Sequence, residues 1–259
     1  MGLTMYQTLR VRQQDSVCFV QFYRPDANNT INAQLVAELH AVLKECEANA
    51  NIVVLQGLPE VFCFGADFQQ ISTGVAQGHA GENDPAALYD VWHRLAAGPY
   101  ITIAHVTGKA NAGGIGFVAA CDIVLAEEGA QFSLSELLFG VYPACVLPFL
   151  IRRIGFQKAH YLTLMTQPIS AQQAHSWGLV DAYEATGAGL LRKHLLRLRR
   201  LSKATIQRYK EYLGTLDGAL TEHKPLAIAA NKRLFADPQT LAGIARYVAT
   251  GVFPWEAPA

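Results

Sequence analysis

The sequence has no apolar run of the roughly 18 residues that a membrane-crossing helix requires, so no membrane span is expected. It has no excess of either charge. Its 21 lysines and arginines balance 21 aspartates and glutamates, which argues against a nucleic-acid partner on global electrostatics. The five cysteines, Cys18, Cys46, Cys63, Cys121 and Cys145, form no C-x-x-C pair and stand among apolar or small residues. They read as buried, reduced thiols. With no Cys/His spacing of the zinc type, no metal site is expected. The G-x-G-x-x-G turn of dinucleotide-binding folds is also missing. Met1 to Arg12 is polar and lacks the apolar centre of a secretory signal, so the expected location is cytoplasmic.

What is present is ample apolar material. With 51% hydrophobic residues over 259 positions, the chain can bury one sizeable core, alone or with a trailing helical part. Ser16 to Tyr23 is rich in β-formers and reads as a strand, followed by turn residues from Arg24 to Asn29. Asn32 is placed to cap a helix reaching about Cys46, in which Leu35, Val36, Leu39, Val42, Leu43 and Cys46 recur on one face. Ile52 to Leu55 is a short apolar strand. Ser72 to Pro85 is polar and glycine-bearing and reads as a mobile loop, and Pro85 to Ala97 as an amphipathic helix. Strands at Tyr100 to Val106 and Asp122 to Ala126 flank a small-residue helix after Asn111. Strands alternating with helices predict an α/β layer arrangement. Beyond about Gly155 the pattern is mainly helical, with Leu179 to Tyr183 as an extended exception.

Two glycine-bearing turns stand out. Phe64-Gly65-Ala66-Asp67-Phe68 follows a strand-like run, and Asn111-Ala112-Gly113-Gly114 opens the small-residue helix. Small residues let a ligand approach the backbone, and a helix start offers free N–H groups with a favourable dipole. Each turn alone reads as readily as an ordinary tight turn. Glu136 lies between Leu134 and Leu137-Leu138-Phe139. Burial there raises its pKa, and a carboxyl group tuned to about 6–7 both takes and returns a proton near neutrality. By itself it reads equally as a structural glutamate at a helix start. Taken together, the segments suggest two backbone donors for a thioester oxygen and one carboxylate for proton transfer, the requirements of an enolate reaction.

These residues, with Cys121-Asp122-Ile123, Ile169-Ser170-Ala171-Gln172-Gln173-Ala174 and Trp177-Gly178-Leu179-Val180-Asp181, resemble the crotonase (enoyl-CoA hydratase/isomerase) superfamily over nearly the whole chain. The resemblance implies a ββα spiral core, taken as residues 1–190. It also implies a helical C-terminal region, residues 191–259, that packs trimers and often hexamers. It places the oxyanion hole on the N–H groups of Ala66 and Gly113 and a catalytic glutamate on Glu136. The family's other glutamate falls on Gly116, which leaves a single carboxylate and speaks against ordinary hydration of a simple enoyl-CoA. Asn28-Asn29-Thr30-Ile31-Asn32, Leu55 to Phe68, Ser133 to Cys145 and Leu190 to Arg200 look most like the polyketide-biosynthesis enoyl-CoA hydratases of β-branching cassettes. That likeness implies dehydration of a 3-hydroxy-3-methylglutaryl group held on an acyl carrier protein. The substrate rides a phosphopantetheine arm, and no further cofactor is implied.

Asn111 and Gly114 are candidate substrate-binding residues. Asn111 is placed either to hold the hydroxyl or distal carboxylate, or to bond locally within its turn. Tyr89, His93, Lys109 and Tyr142 are candidates to receive the distal carboxylate, each with a packing or surface role as the alternative. Asp67 and Asp122 read as turn-orienting caps. The basic run that holds Arg192, Lys193, Arg199 and Arg200 reads either as a solvated helix face or as a landing surface for an acidic carrier protein. Asp26-Ala27-Asn28-Asn29, where the family often has a cation for the adenine end of CoA, favours the carrier. The competing readings are a hydratase or isomerase of free CoA thioesters, and an inactive scaffold that only binds a carrier.

Overall fold

A strand that is apolar on both faces needs cover on both sides, and Ile52-Val53-Val54-Leu55 is such a strand. In the computed structural model, which describes residues 3–76 and 84–256, it lies inside a layered α/β fold. The strands are β1 (Leu3–Met5), β2 (Leu9–Gln14), β3 (Val17–Phe22), β4 (Ile52–Gln56), β5 (Val61–Cys63), β6 (Ile101–Val106), β7 (Lys109–Asn111), β8 (Ile123–Glu127), β9 (Gln131–Ser133), β10 (Ile169–Ser170) and β11 (Ala182–Glu184). The helices are α1 (Ala33–Asn49), α2 (Phe68–Ala76), α3 (Pro85–Ala97), α4 (Gly113–Ala120), α5 (Leu147–Ile154), α6 (Phe156–Met165), α7 (Ala171–Ser176), α8 (Gly187–Leu198), α9 (Lys203–Leu216), α10 (Ala219–Leu234) and α11 (Pro238–Thr250). Among the described residues no helix is long and apolar enough to cross a membrane.

The larger sheet runs in the order β1-β2-β3-β4-β6-β8-β11, antiparallel up to β3 and parallel from there on. Its inner face, carrying Val20, Phe22, Val53, Leu55, Ala104, Val106 and Val124, joins the core made with α1, α3 and α4. Its outer face, carrying Val17, Phe19, Ile52, Val54, Ile103 and Leu125, is covered by Leu190, Leu191 and Leu195 of α8. Asn32 caps α1 as expected, its side chain accepting from the Leu35 N–H. All five cysteines are free and buried.

The smaller sheet, ordered β10-β9-β7-β5, positions the site. Its three-residue strands β5, β7 and β9 are parallel neighbours, with Cys63 beside Ala110 after a one-residue irregularity in β5 and Asn111 beside Ser133. Their carboxyl ends therefore lie along one edge at the usual strand spacing of about 4.8 Å. Each end releases one segment of interest: Gly65-Ala66 after β5, Gly113 after β7 and Glu136 after β9. Ligand sites at the carboxyl ends of parallel strands are the general rule in α/β sheets.

Three expectations need correction. A boundary between residues 190 and 191 cuts α8 in two, because Leu190 and Leu191 together bury against the sheet. The later helices are also tied to the core. Lys210 of α9 reaches both Asp122 carboxylate oxygens at 2.7 Å, and the Tyr89 hydroxyl donates to Leu220 O of α10. The loop expected from Ser72 is helical as far as Ala76, since Asp67 caps α2 by accepting from the Gln70 N–H; residues 77–83 lie outside the described residues. The extended segment after α7 is Ala182–Glu184, because the N–H groups of Leu179 and Val180 turn back to bond Ala174 O.

Candidate active site

Gly65 has φ +92°, a conformation open to glycine at little cost. A Cβ there would stand 2.7 Å from the Ala112 Cβ and 3.3 Å from the Gly113 nitrogen, so the turn after β5 touches the turn after β7. Ile31 forms a parallel bridge with Ala66: its N–H donates to Gly65 O at 2.7 Å and its carbonyl accepts from the Asp67 N–H at 3.1 Å. In such a bridge the middle residue points its own N–H the other way. The Ala66 N–H thus faces away from Ile31. Gly113 is the first residue of α4, where an N–H has no intrahelical acceptor. Among the described residues neither N–H has a protein acceptor. Asp67 steadies the turn, as expected for a capping residue, by pairing with Arg24 at 2.8 Å and accepting from Gln70.

Ala112 holds a strained conformation for a non-glycine residue, φ +51° and ψ −122°, immediately before the Gly113 N–H. Its own N–H donates to Ser133 O at 3.0 Å. The neighbouring Asn111 is committed within the protein: its amide donates to Ser135 Oγ at 2.9 Å and its oxygen accepts from Ser133 Oγ at 2.8 Å. This corrects its assignment to substrate. Asn111 instead fastens the segment that carries Glu136 to β7, the strand that leads into Gly113.

Glu136 opens a 3-10 turn, Glu136–Phe139. Its Oε2 is sealed from solvent with no protein partner among the described residues. Desolvation pushes its pKa up to about 7, against a smaller opposing effect of the Glu136 and Ser135 backbone N–H groups. Aromatic contacts cover the turn. Phe139 meets Phe68 of α2, Tyr247 of α11 and Phe253, with ring centroids 4.9–5.3 Å apart.

Other expected site residues lie elsewhere. Gly114 serves close packing, since a Cβ there would fall 2.2 Å from Cys63 O. Tyr89 is wholly buried against Phe149 and bonded to Leu220 O, because its ring completes the α3–α5–α10 contact. His93 lines a separate surface hollow with Glu47, Arg94, Gln207 and Glu211, and desolvation lowers its pKa. Lys109 stands at the amino end of β7, away from the edge that carries Gly113. Tyr142 is exposed and follows Val141, whose N–H donates to Glu136 O at 3.3 Å. Arg192, Lys193, Arg199 and Arg200 are exposed on and just after α8, on the opposite side of the larger sheet from α4. Lys193 pairs with Glu184 and Arg199 with Asp15. The apolar stripe of α8 belongs to the outer face of the sheet, which sets this cluster on that side of the molecule.

Gly116, where the resemblance would put the family's other glutamate, faces a residue not assigned to the site from sequence, Trp92. A Cβ on Gly116 would meet Trp92 Cζ2 at 2.4 Å and Cε2 at 2.5 Å. The indole ring fills the space into which a side chain at position 116 would extend.

Gly65→Ala is expected to cost about 1–3 kcal/mol, since it combines positive φ with a clash, and to lower turnover by displacing the Ala66 N–H. Urea melts and kinetics on the purified variant would check this, and unchanged values in both would contradict the contact between the two turns.

A family model described as enoyl-CoA hydratase/isomerase matches residues 12–258. The chain is 58% identical over 257 residues to the bacillaene synthase dehydratase PksH of Bacillus subtilis (strain 168), covering 99% of each. It is 32% identical over 187 residues to the mevalonyl-coenzyme A hydratase SIDH of Beauveria bassiana, covering 69% of this chain and 67% of the relative. The crystal structure of PksH from Bacillus subtilis, described as a polyketide-biosynthesis enoyl-CoA hydratase, has a TM-score of 0.95 over 96% of this chain and 100% of that one. An enoyl-CoA hydratase from Bacillus halodurans, 18% identical, shares the fold with a TM-score of 0.83 over 92% of this chain and 99% of that one.

Proposed function

The chain belongs to the enoyl-CoA hydratase/isomerase family and is an enzyme of the hydro-lyase type; on that premise we propose that it removes water from a 3-hydroxy-3-methylglutaryl thioester carried on an acyl carrier protein, leaving the 3-methylglutaconyl thioester. The observation that carries this reading is the desolvated Glu136 carboxyl group at the strand edge it shares with two unused backbone N–H groups. The names of the relatives support the substrate class. One is a dehydratase of bacillaene synthase. Another is a hydratase of mevalonyl-CoA, whose acyl group also carries a hydroxyl and a methyl on its β-carbon.

The thioester oxygen lies between the Ala66 and Gly113 N–H groups. Ionised Glu136 takes the α-proton, and the negative charge moves onto the thioester oxygen, where the two N–H groups and the start of α4 stabilise it. The enolate then collapses to the α,β double bond as the β-hydroxyl leaves. Glu136 hands its proton to that hydroxyl, so water departs and the carboxylate is regenerated. One carboxylate serving both steps requires the proton and the hydroxyl to leave from the same face. The substrate's distal carboxylate needs a polar partner, and Tyr142, which follows the Glu136 turn in sequence, is a candidate. The same reading makes the enzyme a homotrimer or a hexamer, with Tyr209, Tyr212, Leu213, Leu216 and Leu226 as exposed apolar surface for a second copy to cover.

Intact-protein mass spectrometry of the loaded carrier tests the proposal. The expected result is loss of one water on adding enzyme, at a rate well above that for crotonyl-CoA hydration. A strong preference for crotonyl-CoA would overturn it, and so would the absence of thioester chemistry on either substrate.

A further inference from the structure

Trp92 is 1% exposed, and its indole Nε1 is sealed from solvent with no protein acceptor among the described residues. Buried indole N–H groups ordinarily find a partner, because leaving the bond unmade is costly. On the same helix the Tyr89 hydroxyl has its partner, donating to Leu220 O, whereas the Tyr100 hydroxyl just past the helix end shares the unpaired condition. The unpaired donor also lies next to the site. Cε2, the ring atom bonded to Nε1, is 2.5 Å from the position of a Cβ on Gly116, and Cζ2 is 3.9 Å from that of a Cβ on Gly113. The six-membered half of the indole therefore lies against the first turn of α4, and Nε1 is one bond from the ring atom that packs there. Edge-on contacts with Phe117 and Phe149, at centroid distances of 5.7 and 5.8 Å, hold the ring there. Glycine at position 116 is what lets it come so close.

We propose that the Trp92 indole N–H donates a hydrogen bond to the β-oxygen of the substrate. The inference rests on the dehydratase reading and deepens it. With the thioester oxygen on the Gly113 N–H, the β-carbon is two bonds from the carbonyl carbon, and its oxygen, which takes one proton from Glu136, has a further lone pair free to accept from a second donor. The distal carboxylate carbon is two bonds farther on. An indole N–H donates and cannot accept or surrender a proton at ordinary pH. Trp92 therefore orients the hydroxyl and polarises its carbon–oxygen bond, while proton movement stays with Glu136.

Trp92→Phe keeps an aromatic ring against Phe117 and Phe149 and removes the donor. Turnover of the carrier-bound 3-hydroxy-3-methylglutaryl group is expected to fall about tenfold or more in kcat/KM. Affinity for the 3-methylglutaconyl product, which lacks the β-oxygen, should stay unchanged. Unaltered kinetics would overturn the proposal, as would equal losses for substrate and product.

A second measurement needs no turnover and no change at Trp92. In 15N-labelled Glu136→Gln protein, the Trp92 indole proton should move downfield on adding 3-hydroxy-3-methylglutaryl-pantetheine and stay in place with 3-methylglutaryl-pantetheine. Movement with both ligands, or with neither, would contradict the assignment. If wild-type enzyme removes no water from the loaded carrier but this selective shift appears, the dehydratase reading fails and the role of Trp92 stands.

Discussion

Glu136→Gln is expected to abolish water loss and, above neutral pH, to make the protein more stable. The glutamine can neither take the α-proton nor return it, and general acid–base catalysis by one side chain contributes roughly 10²–10⁴ in rate. With both transfers assigned to Glu136, the loss belongs at or beyond the upper end of that range. The stability change follows from the same burial. The folded-state pKa is raised from 4.5 to about 7, so folding favours the protonated form. The stability this provides is complete below the unfolded value and is lost as pH rises through the folded value. Above about pH 7 the wild type thus carries a buried charge worth about 3 kcal/mol, at 1.36 kcal/mol for each unit of displacement, which neutral glutamine avoids. Melts of the two proteins should nearly coincide near pH 4 and separate progressively by pH 8. In the wild type, kcat/KM should climb with pH and level off above about 7, because the carboxylate must be ionised to act as base. Activity of the variant within tenfold of wild type, or a gap in stability that ignores pH, would refute the assignment.

Gly116→Glu restores a second carboxylate on paper and is expected to wreck the protein. The new Cβ would lie 2.4–2.8 Å from three atoms of the Trp92 ring, which Phe117 and Phe149 brace from behind. Overpacking and an unpaired buried carboxylate together should cost more than about 3 kcal/mol. No hydration of crotonyl-CoA should appear. Adding Trp92→Ala to make room should recover part of the loss, so the pair would be less destabilised than the sum of the single changes. A well-folded single variant that hydrates crotonyl-CoA would mean that the space at position 116 is open.

Strands β3, β4, β6 and β8 of the larger sheet and α1 were legible because their residues obey regular patterns, whereas β1 and β2, in a polar opening segment, were not. Ile52 to Leu55 is apolar throughout, and Leu35 to Cys46 keeps the helical period. The smaller sheet was not, since β5, β7 and β9 have three residues each and give periodicity no length to act on. Yet those strands align Ala66, Gly113 and Glu136. Turn chemistry and an isolated acid singled out the segments, and the family resemblance placed the roles on Ala66, Gly113 and Glu136, but what brings the three together could not be read. Trp92 escaped notice for a related reason. In sequence it is one apolar position of an amphipathic helix, and only the glycine it faces gives it significance. The bonds of Asn111 and Tyr89 could not be read because their partners, Ser133, Ser135 and Leu220, are 22 or more residues away, although a packing role was one of the two readings open for Tyr89. The basic cluster around α8 was read by charge alone, although Leu190, Leu191 and Leu195 decide which side of the sheet it occupies.

The central claim is that one carboxylate performs both proton transfers, and the stereochemistry of elimination tests it most directly. A carrier loaded with 3-hydroxy-3-methylglutarate, bearing deuterium at one of its two C2 positions, would be converted and the product mass read for each diastereomer. The account predicts loss of the deuterium on the same face as the departing hydroxyl and retention of the other. Loss from the opposite face would demand a second proton-transfer group across the pocket from Glu136, which contradicts it.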